Sequence, residues 1–215
     1  MKRWLTNMKL QLALDDLSLK DALKLVEEVQ DYIDILEVGS PFIIEEGMHA
    51  LRALKEAFPN KEILADTKIV DAGDYEAELT YKANADYCTV IGMTDILTIK
   101  GCAEAAKRYQ KKVFVDMICV KDVTNRVHEI EEVGVDSIAV HVGVDQQAVG
   151  QTPLAALKEI KAASNHSTIS VAGGINSQTV HLYKEAGADI VVVGSGITHA
   201  ENPKEAAQAI YEAIQ

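Results

Sequence analysis

The sequence predicts a single-domain α/β protein of the (β/α)8 TIM-barrel class. Short apolar segments rich in Val and Ile recur at intervals of roughly 21 to 32 residues, which is the length of one βα unit. Helix-like sequence follows each segment, and strands buried on both faces of a parallel sheet are continuously apolar. The eight predicted strands are Leu10–Leu14, Ile35–Val38, Ile63–Ala65, Tyr87–Ile91, Val113–Ile118, Ser137–Val140, Thr168–Ala172 and Ile190–Val193. Eight such units in 215 residues most simply close into a barrel.

The helix boundaries fit the same repeat. Ser18 is a predicted N-cap, and Pro41 and Pro203 are predicted first-turn residues of their helices. Three helices end in an Asn or Gly, and an Asp then leads into the next strand. These aspartates are Asp86, Asp136 and Asp189, and we interpret them as structural. An open doubly wound sheet is the alternative, but no G-x-G-x-x-G motif follows the first strand.

Charge and composition exclude several classes of protein. The net charge of −12 disfavours binding to nucleic acid or to an anionic membrane surface. The apolar segments are far shorter than a transmembrane span. The three cysteines, Cys88, Cys102 and Cys119, form no CxxC pair, so we expect a cytoplasmic protein without disulfides. Residues 1–7 are predicted to be an extension that precedes a catalytic barrel of residues 8–215.

Polar residues and glycines collect at the predicted C-terminal ends of the strands, where barrels of this class place their active sites. They are Asp15, Glu37, Asp66, Lys68, Asp71, Asp116, His141, Gly173, Gly174, Gly194 and Ser195. Asp66 and Lys68 are two residues apart, so a regular strand would point both side chains to the same face. Charged side chains at the end of a buried strand need partners or a ligand, which indicates a functional site.

The glycines after the last two strands predict a phosphate site. Gly173 and Gly174 follow the seventh strand, and Gly194 and Ser195 follow the eighth. Glycine lets backbone amides approach an anion closely, and each loop precedes a predicted helix N-terminus. The alternative is that these glycines only permit tight turns.

The charged cluster predicts either a metal site or a salt-bridge network. Glu37 and Asp66 end neighbouring strands, and paired carboxylates suit Mg²⁺. Alternatively, Lys68 neutralises both carboxylates without a metal, and the spacing alone leaves both interpretations open. Neighbouring negative charge keeps Lys68 protonated, so we expect it to stabilise developing anionic charge rather than form a Schiff base. Of the six histidines, His141 is the one that ends a predicted strand, and it is the candidate general acid or base.

Taken together, these residues resemble the orotidine 5′-monophosphate decarboxylase superfamily, which shares a (β/α)8 barrel and the D-x-K-x-x-D motif seen here from Asp66 to Asp71. Residues 64–73 (LADTKIVDAG) and 141–150 (HVGVDQQAVG) are similar to the branch of 3-hexulose-6-phosphate synthases. The sister branch of 3-keto-L-gulonate-6-phosphate decarboxylases typically carries Glu, Arg and Thr where this chain has Asp116, Val144 and Ala172. It commonly carries Arg where this chain has Ser195.

The resemblance implies an aldehyde-lyase that adds formaldehyde to D-ribulose 5-phosphate through an enediolate, giving D-arabino-hex-3-ulose 6-phosphate. It implies Mg²⁺ on Glu37 and Asp66, and Mn²⁺ fits the same ligands. Lys68 would face the enediolate and His141 would transfer a proton. The implied substrate contacts are Asp15, Asp71, Asp116, Gly173, Gly174, Gly194 and Ser195.

The resemblance also implies a homodimer in which Asp71 serves the neighbouring subunit's site. Two alternatives for the function stay open. One is the decarboxylase activity of the sister branch, and the other is a non-catalytic phosphosugar-binding protein.

Overall fold

The computed structural model describes residues 7–135 and 137–215, and in this part of the chain eight parallel strands form a closed barrel. The strands follow one another in chain order, and β1 pairs with β8 to close the ring. Their bounds are β1 Lys9–Leu14, β2 Ile35–Val38, β3 Glu62–Ile69, β4 Tyr87–Ile91, β5 Lys112–Asp116, β6 Ser137–His141, β7 Thr168–Ala172 and β8 Ile190–Val193. The predicted barrel is confirmed.

Helices connect consecutive strands on the outside of the barrel. They are α1 Leu19–Val29, α2 Ser40–Glu46, α3 His49–Ala57, α4 Gly73–Lys82, α5 Ile96–Tyr109, α6 Val123–Glu132, α7 Val144–Gln147, α8 Leu154–Ala163, α9 Val180–Glu185, α10 Ser195–Thr198 and α11 Pro203–Ile214. Ser18 caps α1, because its hydroxyl accepts a hydrogen bond from the Asp21 amide at 3.2 Å. Pro41 and Pro203 lie in the first turns of α2 and α11, as expected. Among the described residues, no helix is long and apolar enough to cross a membrane.

Two strand ends differ by two residues or more from the sequence-based prediction, and both differences lie beside the site. β3 continues to Ile69 rather than ending at Ala65, because an irregularity between Ala65 and Ile69 lets it bond to β4 again. β5 ends at Asp116 rather than Ile118, and the Asp116 side chain accepts a hydrogen bond from the Ile118 amide at 2.9 Å. Asp66 and Lys68 therefore lie in the irregular part of β3, and Asp116 is the last residue of β5.

The interior of the barrel contains an apolar floor beneath a polar layer. Ile35, Leu64, Tyr87, Phe114 and Ile190 are buried together and fill the lower barrel. The larger core lies outside, between the outward faces of the strands and the helices. Above this apolar floor, polar side chains line the interior at the C-terminal ends of the strands.

Aspartates at the opposite end of the barrel fix the strand starts. Asp34, Asp86 and Asp189 each precede a strand and accept a hydrogen bond from an amide of the preceding strand. The distances are 2.8 Å from Leu10, 2.9 Å from Ile63 and 2.9 Å from Ile169. The structural interpretation is confirmed for Asp86 and Asp189, whereas Asp136 lies outside the described residues.

Replacing Asp86 with Asn is expected to destabilise the barrel by about 2 kcal/mol, because Asp86 also pairs with Lys55 and Lys111 at 2.8 and 2.6 Å. Burial opposes ionisation of Asp86, but the two lysines outweigh it and lower its pKa. This stabilisation is therefore present above the unfolded-state pKa and is lost as the pH falls through the lower folded-state pKa.

Urea unfolding between pH 2 and pH 7 measures this effect. The matched control is Asp74→Asn, which removes an exposed pair with Arg108 and is expected to cost less than about 1 kcal/mol. Equal losses for both variants would contradict a structural role specific to Asp86.

Candidate active site

A cavity of about 180 Å³ opens at the C-terminal ends of the strands. It collects ten of the eleven predicted site residues: Asp15, Glu37, Asp66, Lys68, Asp116, His141, Gly173, Gly174, Gly194 and Ser195. Its wall also contains several residues that the sequence did not single out, among them Gln11, Thr89, Gln147 and Ser170. The sequence therefore singled out residues that share one cavity, but it missed others in the same wall.

Asp66 is held by partners on two neighbouring elements. Its Oδ1 accepts a hydrogen bond from Thr89 Oγ1 on β4 at 2.8 Å. Its Oδ2 accepts one from Ser40 Oγ, at the start of α2, at 3.0 Å, and it also forms an ion pair with Lys68. The residue is 7% exposed, so these bonds replace the hydration that the carboxylate loses on folding.

Lys68 reaches the cavity through an irregular backbone. Its φ is 47°, in the left-handed region, which costs an L-residue roughly 1–2 kcal/mol. Thr89 Oγ1 accepts a hydrogen bond from the Lys68 amide at 2.9 Å within the irregular segment of β3. Asp66 and Lys68 share the cavity as predicted, but a bulged strand rather than a regular one brings them there.

Asp116 links the cation of β3 to the histidine of β6. Its Oδ2 lies 3.4 Å from Lys68 Nζ and 2.9 Å from His141 Nδ1. Its other oxygen accepts a hydrogen bond from the Ile118 amide. The carboxylate is 2% exposed and remains ionised in this position only because cationic and donor groups surround it.

The pKa shifts of this trio are opposed by burial and produced by the pairing. Burial favours the neutral forms of Lys68 and His141, but the neighbouring carboxylates raise both pKa values. For Asp116, burial raises the pKa, and the hydrogen bond and charge of His141, together with Lys68, lower it overall. Lys68 is therefore a fixed cation, as predicted, and His141 titrates above its ordinary pKa.

Glu37 has no cationic partner of its own among the described residues. Its Oε2 accepts a hydrogen bond from Gln11 Nε2 at 2.6 Å. Burial, followed by the charge of Asp66, raises the pKa of Glu37 to about 8. Burial and Asp66 also raise the pKa of Asp15. The acidic side of the cavity thus holds more carboxylate than its cations neutralise.

The oxygen atoms on the acidic side of the cavity are of the kind that binds a divalent cation. Glu37 and Asp66 both line the cavity, and Gln11 Oε1 is a buried oxygen that has no hydrogen-bond partner within the described part of the chain. Excess carboxylate and an unpaired oxygen are the groups that a hard cation takes as neighbours. Among the described residues, no group of three or more His, Cys, Asp or Glu side chains has metal-site geometry. A cation here would have two carboxylate ligands and complete its shell with water or substrate oxygens.

The glycine loops after β7 and β8 shape a further part of the cavity wall. Gly173 has φ 130°, and a Cβ there would lie 2.8 Å from the Val142 carbonyl oxygen, so this position requires glycine. Gly194 directly precedes α10, whereas α9 begins at Val180, beyond a turn that follows Gly174. Both loops precede a helix, as predicted, but a turn at 176–179 separates the β7 loop from α9.

Asp71 is the predicted site residue that does not line the cavity of this chain. It lies after β3 and is exposed, and its Oδ1 accepts a hydrogen bond from the Ala72 amide at 2.7 Å. Its assignment to a neighbouring subunit's site stays a prediction.

Three residues that contact the acidic groups were missed by sequence reasoning. Gln11 and Thr89 are polar positions within otherwise apolar strands, and this interruption of the pattern is a signal that would have found them. Ser40 offers no such signal, because it follows a strand in a position where serine is ordinary.

The arrangement agrees with comparisons to known proteins. Residues 8–210 match the family model described as orotidine 5′-phosphate decarboxylase / HUMPS. The chain belongs to this family. It is 45% identical to a protein of Bacillus subtilis (strain 168) named 3-hexulose-6-phosphate synthase, over 96% of this chain and 99% of that protein.

Solved structures of family members superpose closely on the chain. A 3-hexulose-6-phosphate synthase from Salmonella typhimurium is 51% identical, with a TM-score of 0.95 over 96% of this chain and 98% of that one. A KGPDC from Streptococcus mutans is 27% identical, with a TM-score of 0.86 over 97% of this chain and 98% of that one. The chain is an enzyme of this family, and its named relatives include 3-hexulose-6-phosphate synthases.

Replacing Asp116 with Asn is expected to lower the pKa of His141, because it removes the carboxylate that raises this pKa against burial. NMR titration of the imidazole C–H resonances measures the change, and His141→Asn assigns the His141 signal. The His141–Asp116 pair stabilises the fold below the unfolded-state histidine pKa, and this contribution is lost as the pH rises through the folded-state value. An unchanged His141 titration in Asp116→Asn would show that the pair does not set this pKa.

Proposed function

We propose that this enzyme catalyses the aldol addition of formaldehyde to D-ribulose 5-phosphate and the reverse cleavage of D-arabino-hex-3-ulose 6-phosphate. The observation that supports this most strongly is the linked Lys68–Asp116–His141 trio, which lines one cavity together with Asp15, Glu37 and Asp66. A fixed cation beside a titrating histidine suits formation of a carbanion next to a carbonyl group. The names of the relatives support the same reaction.

Glu37 and Asp66 are the proposed ligands of Mg²⁺, and Mn²⁺ fits the same oxygens. When bound, the ion supplies Lewis-acid polarisation of the substrate carbonyl group. Glu37 is suited to this role because its described hydrogen-bond partner is the neutral amide of Gln11.

Lys68 and His141 are the proposed catalytic groups. Lys68 remains protonated and places its charge beside the anionic enediolate. Because Asp116 holds His141 Nδ1, Nε2 is the nitrogen that takes the C1 proton or protonates the new alkoxide. Asp116 contacts the substrate and keeps both cations in place, while Asp15 orients substrate hydroxyl groups.

The glycine loops are the proposed phosphate site. Backbone amides around Gly173, Gly174, Gly194 and Ser195 line the cavity at the ends of β7 and β8, and Gly194 lies beside Asp15. Around the ring, β8 and β1 separate the Gly173–Gly174 loop of β7 from Glu37 and Asp66 on β2 and β3. This separation suits a phosphosugar, because its phosphate and its reacting carbonyl group differ in charge and lie at opposite ends. α10 has only four residues, so the amides rather than a helix dipole would hold the anion.

We propose that the active form is a cytoplasmic homodimer in which Asp71 contributes to the partner's site. Asp71 lies outside the cavity of its own chain and next to Val70, which is 64% exposed. Tyr75, Met93 and Leu97 expose apolar side chains on the neighbouring loop and helices. Burying this surface against a second copy would remove it from water. A monomeric mass in sedimentation equilibrium would refute the proposal.

An assay with D-ribulose 5-phosphate, formaldehyde and Mg²⁺ tests the reaction. Formaldehyde is expected to disappear, and EDTA is expected to abolish its consumption. His141→Asn is expected to lower turnover about 10²- to 10⁴-fold while leaving phosphosugar binding intact, because it removes the proton-transfer group.

The same assay with 3-keto-L-gulonate 6-phosphate addresses the decarboxylase alternative. If CO₂ is released faster than formaldehyde is consumed, decarboxylation replaces the proposed aldol addition as the activity of this enzyme. Phosphosugar binding without turnover of either substrate would indicate a non-catalytic binding protein.

Metal binding is expected to release a proton from Glu37, because a pKa of about 8 leaves this carboxyl group mostly protonated at pH 7. Affinity for Mn²⁺ should therefore rise with pH up to about 8 and then level off. Isothermal titration in buffers of different ionisation enthalpy counts the released proton. Glu37→Gln should abolish binding, and Glu62→Gln, at the other end of the barrel, is the matched control. Mn²⁺ binding that releases no proton would exclude Glu37 as a ligand.

A further inference from the structure

We propose that Thr89 is a positioning residue that sets the geometry of both Asp66 and Lys68 through its single hydroxyl group. This inference rests on the proposed function and extends it to a residue on β4 that carries no charge. Thr89 is 4% exposed and lies in the wall of the cavity.

The hydroxyl group of Thr89 forms two hydrogen bonds to the neighbouring strand β3. It donates to Asp66 Oδ1 at 2.8 Å and accepts from the Lys68 amide at 2.9 Å. A hydroxyl has one proton to donate, so the donated bond fixes where that proton points. The two contacts clamp the segment on both sides of Thr67, where β3 departs from regular pairing.

The clamp explains how the irregular backbone at Lys68 persists. A regular strand would satisfy the Lys68 amide by pairing with the backbone of the next strand. Here the side chain of Thr89 takes that bond, while the Thr67 hydroxyl donates to the Thr89 carbonyl oxygen at 2.9 Å. These side-chain bonds replace part of the ladder, and Lys68 keeps a positive φ.

The clamp also fixes the orientation of the Asp66 carboxylate. Thr89 holds Oδ1, while Ser40 and Lys68 contact Oδ2. A β-branched side chain on a strand has few χ1 rotamers, so the hydroxyl position is determined by the backbone of β4. Without the Thr89 hydroxyl, Asp66 Oδ1 and the Lys68 backbone amide both lose a hydrogen-bond partner.

Thr89→Val tests the proposal, because valine keeps the shape and the β-branch and removes the hydroxyl. With D-ribulose 5-phosphate and formaldehyde, kcat is expected to fall about 10- to 100-fold, as for other residues that orient ligand groups. KM for the phosphosugar should change little, since the phosphate loops are untouched. Mn²⁺ affinity without substrate, measured by electron paramagnetic resonance, is expected to weaken over the same range of about 10- to 100-fold.

Two further variants distinguish positioning from packing. Thr89→Ser retains the hydroxyl and is expected to restore kcat and Mn²⁺ affinity to near the unmodified values. Thr80→Val is the matched control, because Thr80 is similarly buried and its hydroxyl donates to the Glu76 carbonyl oxygen within α4, outside the cavity. It should leave both measurements unchanged.

The proposal is overturned if Thr89→Val retains the unmodified kcat and Mn²⁺ affinity, or if Thr89→Ser loses as much as Thr89→Val. Should the valine variant fail to fold, Thr89→Ala with the same readouts provides the comparison. An unmodified enzyme that binds Mn²⁺ but consumes no formaldehyde would refute the proposed reaction, and the Mn²⁺ comparison would still decide the role of Thr89.

Discussion

The charge imbalance within the barrel is the constraint on which the rest of the site depends. Four carboxylates line one cavity, at Asp15, Glu37, Asp66 and Asp116, and Lys68 and His141 oppose them. Asp116 is ionised because it contacts both cations, whereas Glu37 has a neutral partner and a raised pKa. The structure thereby separates two kinds of acid in one small volume: Asp66 and Asp116, which pair with cations, and Asp15 and Glu37, whose pKa values are raised.

The barrel provides this separation through its strand order. Closed pairing brings residues from distant parts of the chain onto one rim, where Asp15 and Glu37 lie at the ends of β1 and β2, Asp66 and Lys68 lie on β3, and Asp116 and His141 end β5 and β6. Beneath them, a floor that includes Phe114 and Tyr87 keeps the lower barrel apolar. A low-dielectric base increases the effect of each charge above it, so small changes in pairing have large effects on protonation.

Most of the fold and the charged part of the site followed from sequence because strong patterns carry both. Apolar runs located the strands, and charged residues at their ends identified the cavity. The bulge in β3 did not follow, because it depends on a threonine hydroxyl of the next strand taking the place of a backbone partner. The role of Gln11 was missed for the same reason, since its partner Glu37 lies on another strand. Asp71 belongs to the same motif but does not line the cavity of its own chain, and its expected place in a partner's site stays a prediction.

The pairing of β1 with β8 also has a consequence for the synthesis of the chain. Asp15, Glu37 and Asp66 leave the ribosome well before Asp116 and His141, and the last strand is needed before the ring can close. A nascent chain thus contains three of the four cavity carboxylates and Lys68 before His141, the second cation, has been made. A chain cut short before β8 would lack both the strand that closes the ring and the part of the cavity wall formed by Gly194 and Ser195.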